Sequence, residues 1–262
     1  MGTTYEKYRA IYDYHTHTTY SHGKGSIEDN VKAAISAGLR GIGISDHGPG
    51  HLTYGIKREA VPKMRAEIEE LRLKYPHIEI FMSVEANIIF TGNFLDISKK
   101  EFDDYDYVIA GYHYGVKNGY CIRNYISEHL GKSSVMTADE CSGRTKDLLV
   151  KNTEMTVKAL YENKIKILTH PGDKGPFDMQ ELARACENTG TLMEISTWHK
   201  HLTLDEIKCA AKYDVGFVVS SDAHTPGRVG DVSEGIKRAL EAGLDPERIV
   251  NIAYIDEITE EK

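Results

Sequence analysis

The sequence has little cysteine: four residues in 262, at Cys121, Cys141, Cys186 and Cys209. No two of them have C-x-x-C spacing, which excludes a zinc ribbon and a thioredoxin-like redox motif. Free thiols in a reducing compartment are the expectation. No apolar run approaches the 18 residues of a membrane span. The opening Met1-Gly-Thr-Thr-Tyr-Glu-Lys-Tyr-Arg has no apolar signal core, so a cytoplasmic location is expected. Basic charge is also short. Thirty-two Lys and Arg against 40 Asp and Glu give a net charge of −8, which speaks against wrapping long nucleic acid. Linkers rich in Gly, Pro or Ser, internal repeats and low-complexity tracts are missing, so residues 1–262 are expected to form one domain. There is no G-x-S-x-G elbow, and none of the cysteines sits in a Cys–His nucleophile motif. Gly23-Lys-Gly is only a fragment of a phosphate loop, without the full G-x-x-x-x-G-K-[ST].

The length, by contrast, suits a single α/β barrel, which takes about 250 residues. Short apolar runs alternate with longer amphipathic stretches, the pattern of parallel strands and crossover helices. Strands are expected at 10–14, 41–45, 78–85, 107–112, 165–169, 191–195 and 216–220, and helices at 26–37, 57–75, 153–163, 178–188, 203–213 and 232–242. Ser26 with Asp29 marks a helix start. Val61, Met64, Ile68 and Leu71 share one stripe, as on an outer helix of a barrel. The stretch 118–151 breaks the alternation and is too long for a simple connector, so a lid or binding insertion is expected there.

What the sequence has in surplus is histidine, 12 in all. His15 and His17 follow the first strand, with His22 just beyond. His47 follows the second, Glu85 ends the third, His113 the fourth and His170 the fifth. Asp222 and His224 end the seventh. In a barrel of parallel strands all carboxyl ends open on one face, so these residues converge. H-x-H and D-x-H each put both side chains on one side of a strand. Imidazole and carboxylate together bind zinc, manganese or iron, and nine such residues are too many for one ion. His51 and His77 sit in polar surroundings and are expected to be solvated, and His129 falls in the long stretch. His199, His201 and Trp198 follow the sixth strand, where substrate contact or rim packing is open to them.

Together, His15-Thr-His17, Ser45-Asp46-His47-Gly, Glu85, His113, His170-Pro-Gly and Ser221-Asp222-Ala-His224 resemble the motifs of the PHP (polymerase and histidinol phosphatase) superfamily. The resemblance runs from about Tyr12 to Val250 and is nearest to its small stand-alone bacterial phosphatases and hydrolases. It implies a distorted (β/α)7 TIM-like barrel with a trinuclear metal centre at the carboxyl ends of the strands. Carried over residue by residue, it implies one site of His15, His17, Glu85 and Asp222. A second would share Glu85 with His113 and His170, and a third would use His22, His47 and His224. Asp46 is expected behind these, orienting a ligating imidazole.

Two to three divalent ions, zinc first, with manganese or iron as alternatives, suit hydrolysis of a small phosphomonoester such as histidinol phosphate by a metal-bridging hydroxide. Lys24, Arg123 and Arg228 are the cations expected at the substrate phosphate. A nuclease or phosphodiesterase acting on short oligonucleotides or nucleotides is the first alternative, and a silent metal-binding domain the second. No membrane partner is expected.

Overall fold

The computed structural model describes residues 4–129 and 138–255. In chain order its elements are β1 (Tyr8–Ala10), β2 (Tyr12–Thr16), α1 (Ile27–Ser36), β3 (Gly41–Ile44), α2 (Val61–Lys74), β4 (Glu79–Asn87), β5 (Tyr107–Gly111), α3 (Cys121–His129), α4 (Ala138–Glu162), β6 (Ile167–Leu168), α5 (Met179–Thr189), β7 (Leu192–Ser196), α6 (Leu204–Ala210), β8 (Phe217–Ser220), α7 (Ser233–Glu241) and β9 (Ile252–Tyr254). Strands β2 to β8 form a parallel sheet in strict sequence order. The His17 backbone N–H donates to the Ala223 carbonyl at 2.8 Å, bringing the first strand of the sheet against the end of the last. The result is a nearly closed seven-stranded α/β barrel.

Local chemistry explains the main elements. Ser26 caps α1 by accepting from the Asp29 N–H, while the Asp29 carboxylate accepts from the Ser26 N–H. Asp178 caps α5, and Gly190 ends it in a left-handed turn with φ +70°. Val61, Met64, Ile68 and Leu71 form the buried stripe of α2. The main core lies between sheet and helices, and a smaller cluster of Ile109, Ile167 and Val218 fills the barrel interior.

The amino-terminal end of the barrel is closed by aromatic rings. The Tyr107 hydroxyl donates to the Tyr14 carbonyl at 2.8 Å. The Lys166 ammonium lies 4.6 Å and 4.7 Å from the ring centres of Tyr14 and Tyr107. Position 43 must be glycine for this, because a Cβ there would collide with the Tyr107 hydroxyl. The opposite end stays open.

Three features differ from the sequence-based expectation. Strands β1 and β9 pair antiparallel beside the barrel. Each has three residues, too few for a periodic signal. Within 118–151 lie α3 and the first half of α4, so the helix expected at 153–163 starts at Ala138 instead. Residues 130–137 of that stretch, including Gly131-Lys-Ser-Ser, and the side chain of His129 lie outside the described residues.

Candidate metal centre

The carboxyl ends of the strands bring the nine expected ligands together. His15, in β2, and His17, just past its end, are fully buried. Their Nε2 atoms lie 3.1 Å apart. The Glu85 Oε2 lies 3.3 Å from His15 Nε2 and 3.6 Å from His17 Nε2. The Asp222 Oδ1 lies 3.6 Å and 3.1 Å from the same two atoms. Bonds of about 2.0–2.1 Å to one tetrahedral ion set adjacent ligand atoms about 3.3 Å apart. These four residues therefore have the spacing that one such ion would need.

Glu85 serves two groups at once. Its Oε1 lies 3.2 Å from His113 Nε2 and 3.1 Å from His170 Nε2, while Oε2 faces His15, His17 and, at 2.9 Å, His47 Nδ1. A carboxylate with a separate set of imidazoles on each oxygen has the geometry of a bridge. Glu85 Oε2, His47 Nδ1 and His113 Nε2 are buried yet make no aligned hydrogen bond. Such convergence without hydrogen-bond geometry is costly unless a cation completes it.

The third group is less compact. His17, His47 and His224 place one ligand atom each within 4.8 Å of one another. The His22 ring lies 4.2 Å from His224 and 4.8 Å from His47, with its Nδ1 buried and unpartnered.

The rings are oriented from behind. His15 Nδ1 meets Glu194 Oε1 at 2.7 Å, His113 Nδ1 meets Asn87 Oδ1 at 2.9 Å, and His224 Nδ1 meets the Asp222 carbonyl at 2.8 Å. Each partner only accepts, so Nδ1 carries the proton and Nε2 presents its lone pair. Glu194 also accepts from the His170 N–H at 2.7 Å. Asp46 works at one remove: it binds the backbone N–H and hydroxyl of Thr18 and the hydroxyl of Ser21, and so fixes the loop that carries His22. His170 (φ +28°) and Asp222 (φ +48°) occupy backbone conformations that non-glycine residues seldom adopt.

Electrostatics suit cation binding. Burial, with His47 beside it, holds the His17 pKa well below the ordinary value. Burial and neighbouring imidazoles push His22 to about 3, and burial takes His113 to about 3 against the pull of Glu85. A ligating imidazole must be neutral, and the lowered pKa of these three favours that form. His15 differs: burial opposes its charge, but Glu85, Asp222 and Glu194 outweigh it and hold its pKa well above ordinary, so an ion bound there would displace a proton. Burial disfavours the Glu85 and Asp222 carboxylates too, yet the surrounding histidines keep both ionised.

A cavity of about 190 Å³ opens over the centre. His51, Tyr54, Tyr114, Lys174 and Trp198 contribute its walls. His51 is thus half-buried at the mouth rather than solvated, its Nδ1 accepting from the Tyr54 N–H at 3.1 Å. Of the expected substrate cations, Lys24 and Arg123 are exposed. Arg228 stacks over Trp198 at 5.1 Å, and Trp198 in turn stacks on His224 at 5.1 Å. None of the three lines the cavity, whereas Lys174, which sequence reasoning missed, does. Glu194 and Asp173 were missed as well, while His199 was singled out only for substrate contact or rim packing. A signal for Glu194 existed, since it is the one charged residue of an otherwise apolar strand run, Leu192–Ser196.

An α/β barrel whose strand ends converge on clustered imidazoles and carboxylates defines a class of metal-dependent hydrolases. The PHP domain matches residues 13–190, and the chain belongs to that family. It is 28% identical over 267 residues to a probable phosphatase of Caldanaerobacter subterraneus subsp. tengcongensis, covering 96% of this chain and 91% of that one. It is 26% identical over 256 residues to the probable phosphatase YcdX of Escherichia coli, covering 92% and 89%. The fold matches a crystal structure of histidinol phosphate phosphatase from Lactococcus lactis, complexed with zinc, L-histidinol and phosphate. The TM-score is 0.60 at 16% identity, covering 90% of this chain and 95% of that one.

Proposed function

We propose that this centre hydrolyses a small phosphomonoester with the help of two to three divalent ions, zinc first and manganese or iron as alternatives. The enzyme class, a hydrolase acting on phosphoric ester bonds, follows from family membership and the named relatives. The observation that carries the reading is Glu85, whose two oxygens face separate imidazole sets. His15, His17, Glu85 and Asp222 would hold one ion, Glu85, His113 and His170 a second, and His22, His47 and His224 a third. Ions so placed lower the pKa of water and neutralise phosphoryl oxygens. The chain itself orients the ligating rings through Glu194, Asn87 and the Asp222 carbonyl. It also narrows the approach with Tyr54 and Trp198. Lys24, Arg123 and Arg228 are the cations proposed for the substrate phosphate, although none of them lines the cavity, and Lys174, which does line it, is proposed beside them. The stretch 118–151 is proposed as a lid within a single domain.

The cavity of about 190 Å³ favours a small ester over a polymer. The test compares p-nitrophenyl phosphate, bis-p-nitrophenyl phosphate and 5′-phosphorylated oligonucleotides, with metal-loaded and chelator-stripped protein. Monoester turnover that is lost on stripping and restored by zinc or manganese is expected. Diester cleavage outpacing monoester cleavage would instead establish the phosphodiesterase alternative. No turnover of any ester by loaded protein would favour a silent metal-binding domain. Elemental analysis finding fewer than two ions per loaded chain would contradict the trinuclear centre.

A further inference from the structure

Three residues outside the nine proposed ligands form a continuous chain of contacts into the centre. The Lys174 Nζ lies 2.7 Å from Asp173 Oδ2, and His199 Nδ1 lies 3.0 Å from the same oxygen. His199 Nε2 lies 3.2 Å from Asp222 Oδ2. The other oxygen of Asp222 faces inward, 3.1 Å from His17 Nε2. Asp173 and Lys174 come from the loop after β6, and His199 from the loop after β7. The approaches to Asp173 Oδ2 are ion-pair contacts without hydrogen-bond alignment. The loop of His199 is itself held, since its backbone N–H donates to the Ser196 hydroxyl at 3.1 Å.

We infer that His199, backed by Asp173, is a positioning residue for Asp222. The inference rests on the proposed role of Asp222 as a ligand. A free carboxylate can offer one oxygen or both to a cation, and turns about its terminal torsion at little cost. Here the outer oxygen is engaged by His199, so only Oδ1 faces His15 and His17. That would hold Asp222 to a single oxygen toward the ion. His170, Asp173 and His199 also place one ligand atom each within 4.8 Å of one another, so a ligand role for His199 is the outcome the test must separate from positioning. Outer residues of this kind typically change metal affinity or activity by about 10–100-fold when removed.

The test uses full-length protein carrying His199→Ala, His199→Gln or Asp173→Asn, titrated with zinc against a chromophoric chelator. His199→Ala is expected to bind the wild-type number of ions, with at least one weakened by about 10–100-fold. His199→Gln, whose amide can still donate to Asp222 Oδ2, is expected to recover most of that affinity. Asp173→Asn should fall between them, and it carries the test alone should the His199 variants fail to fold. In turnover, kcat should fall with KM little changed. Zinc affinity at the wild-type level in His199→Ala would overturn the inference. So would the loss of a whole ion from both His199 variants, which would make His199 a ligand. Weakened zinc binding in a protein that hydrolyses no phosphoester would uphold the positioning role while refuting the proposed function.

Discussion

Replacing Glu85 by Gln is the sharpest perturbation of the proposed centre. The side chain keeps its shape, is fully buried, and meets five imidazoles, three through Oε2 and two through Oε1. Only Glu85 and Asp222 bring negative charge to the nine proposed ligands, so the change halves it. At an effective dielectric of about 20, two unit charges 4 Å apart interact by about 4 kcal/mol, which at about 1.4 kcal/mol per tenfold is three orders of magnitude in affinity. A divalent ion feels at least that. The amide would also turn an N–H₂ group toward imidazole lone pairs on one side. Glu85→Gln is therefore expected to lose zinc affinity by about 1,000-fold or more at two positions together, because one carboxylate serves both. Chelator competition reads the affinity, elemental analysis the ion count, and thermal melting of the metal-free protein checks the fold. A folded variant that keeps its ion count and binds zinc within tenfold of wild type would refute the bridging role.

Two further outcomes test the surroundings. Glu194→Ala should weaken zinc binding by about 10–100-fold by releasing the His15 ring. It should also cost about 1–3 kcal/mol of stability in urea unfolding by leaving the buried His170 N–H unsatisfied. Unchanged values on both counts would show that Glu194 only fills space. Met64→Ala, at a fully buried position of α2, should cost about 2–5 kcal/mol in denaturant unfolding. A loss under 1 kcal/mol would show that α2 is not packed against the sheet as described.

Much of the centre was legible because its chemistry interrupts apolar strands at their ends. His15-Thr-His17, Glu85 and Asp222-Ala-His224 stand out for that reason alone, and the barrel brings them together by topology. The strands were legible from the same runs. The less visible residues act through partners distant in sequence. Glu194 meets His15 across 179 positions, and though it stands out as the one charged residue of its strand, nothing in the sequence names its partner. Asp173 and His199 sit in two loops that only the order of β6, β7 and β8 makes neighbours. Lys24, Arg123 and Arg228 illustrate the converse. They were chosen for nearness in sequence or for charge, and the fold leaves two exposed and stacks the third on Trp198. The start of α4 at Ala138 lies inside 118–151, the stretch that breaks the strand–helix alternation and was read by its length as a lid or binding insertion.

The aromatic floor has a consequence for traffic. With Tyr14, Tyr107 and Lys166 sealing the far end, the barrel is a vessel with one door. On the proposed function, water, ester and both products would share the mouth between Tyr54 and Trp198. A product that lingered in that doorway would hold up the next arrival, however fast the chemistry inside.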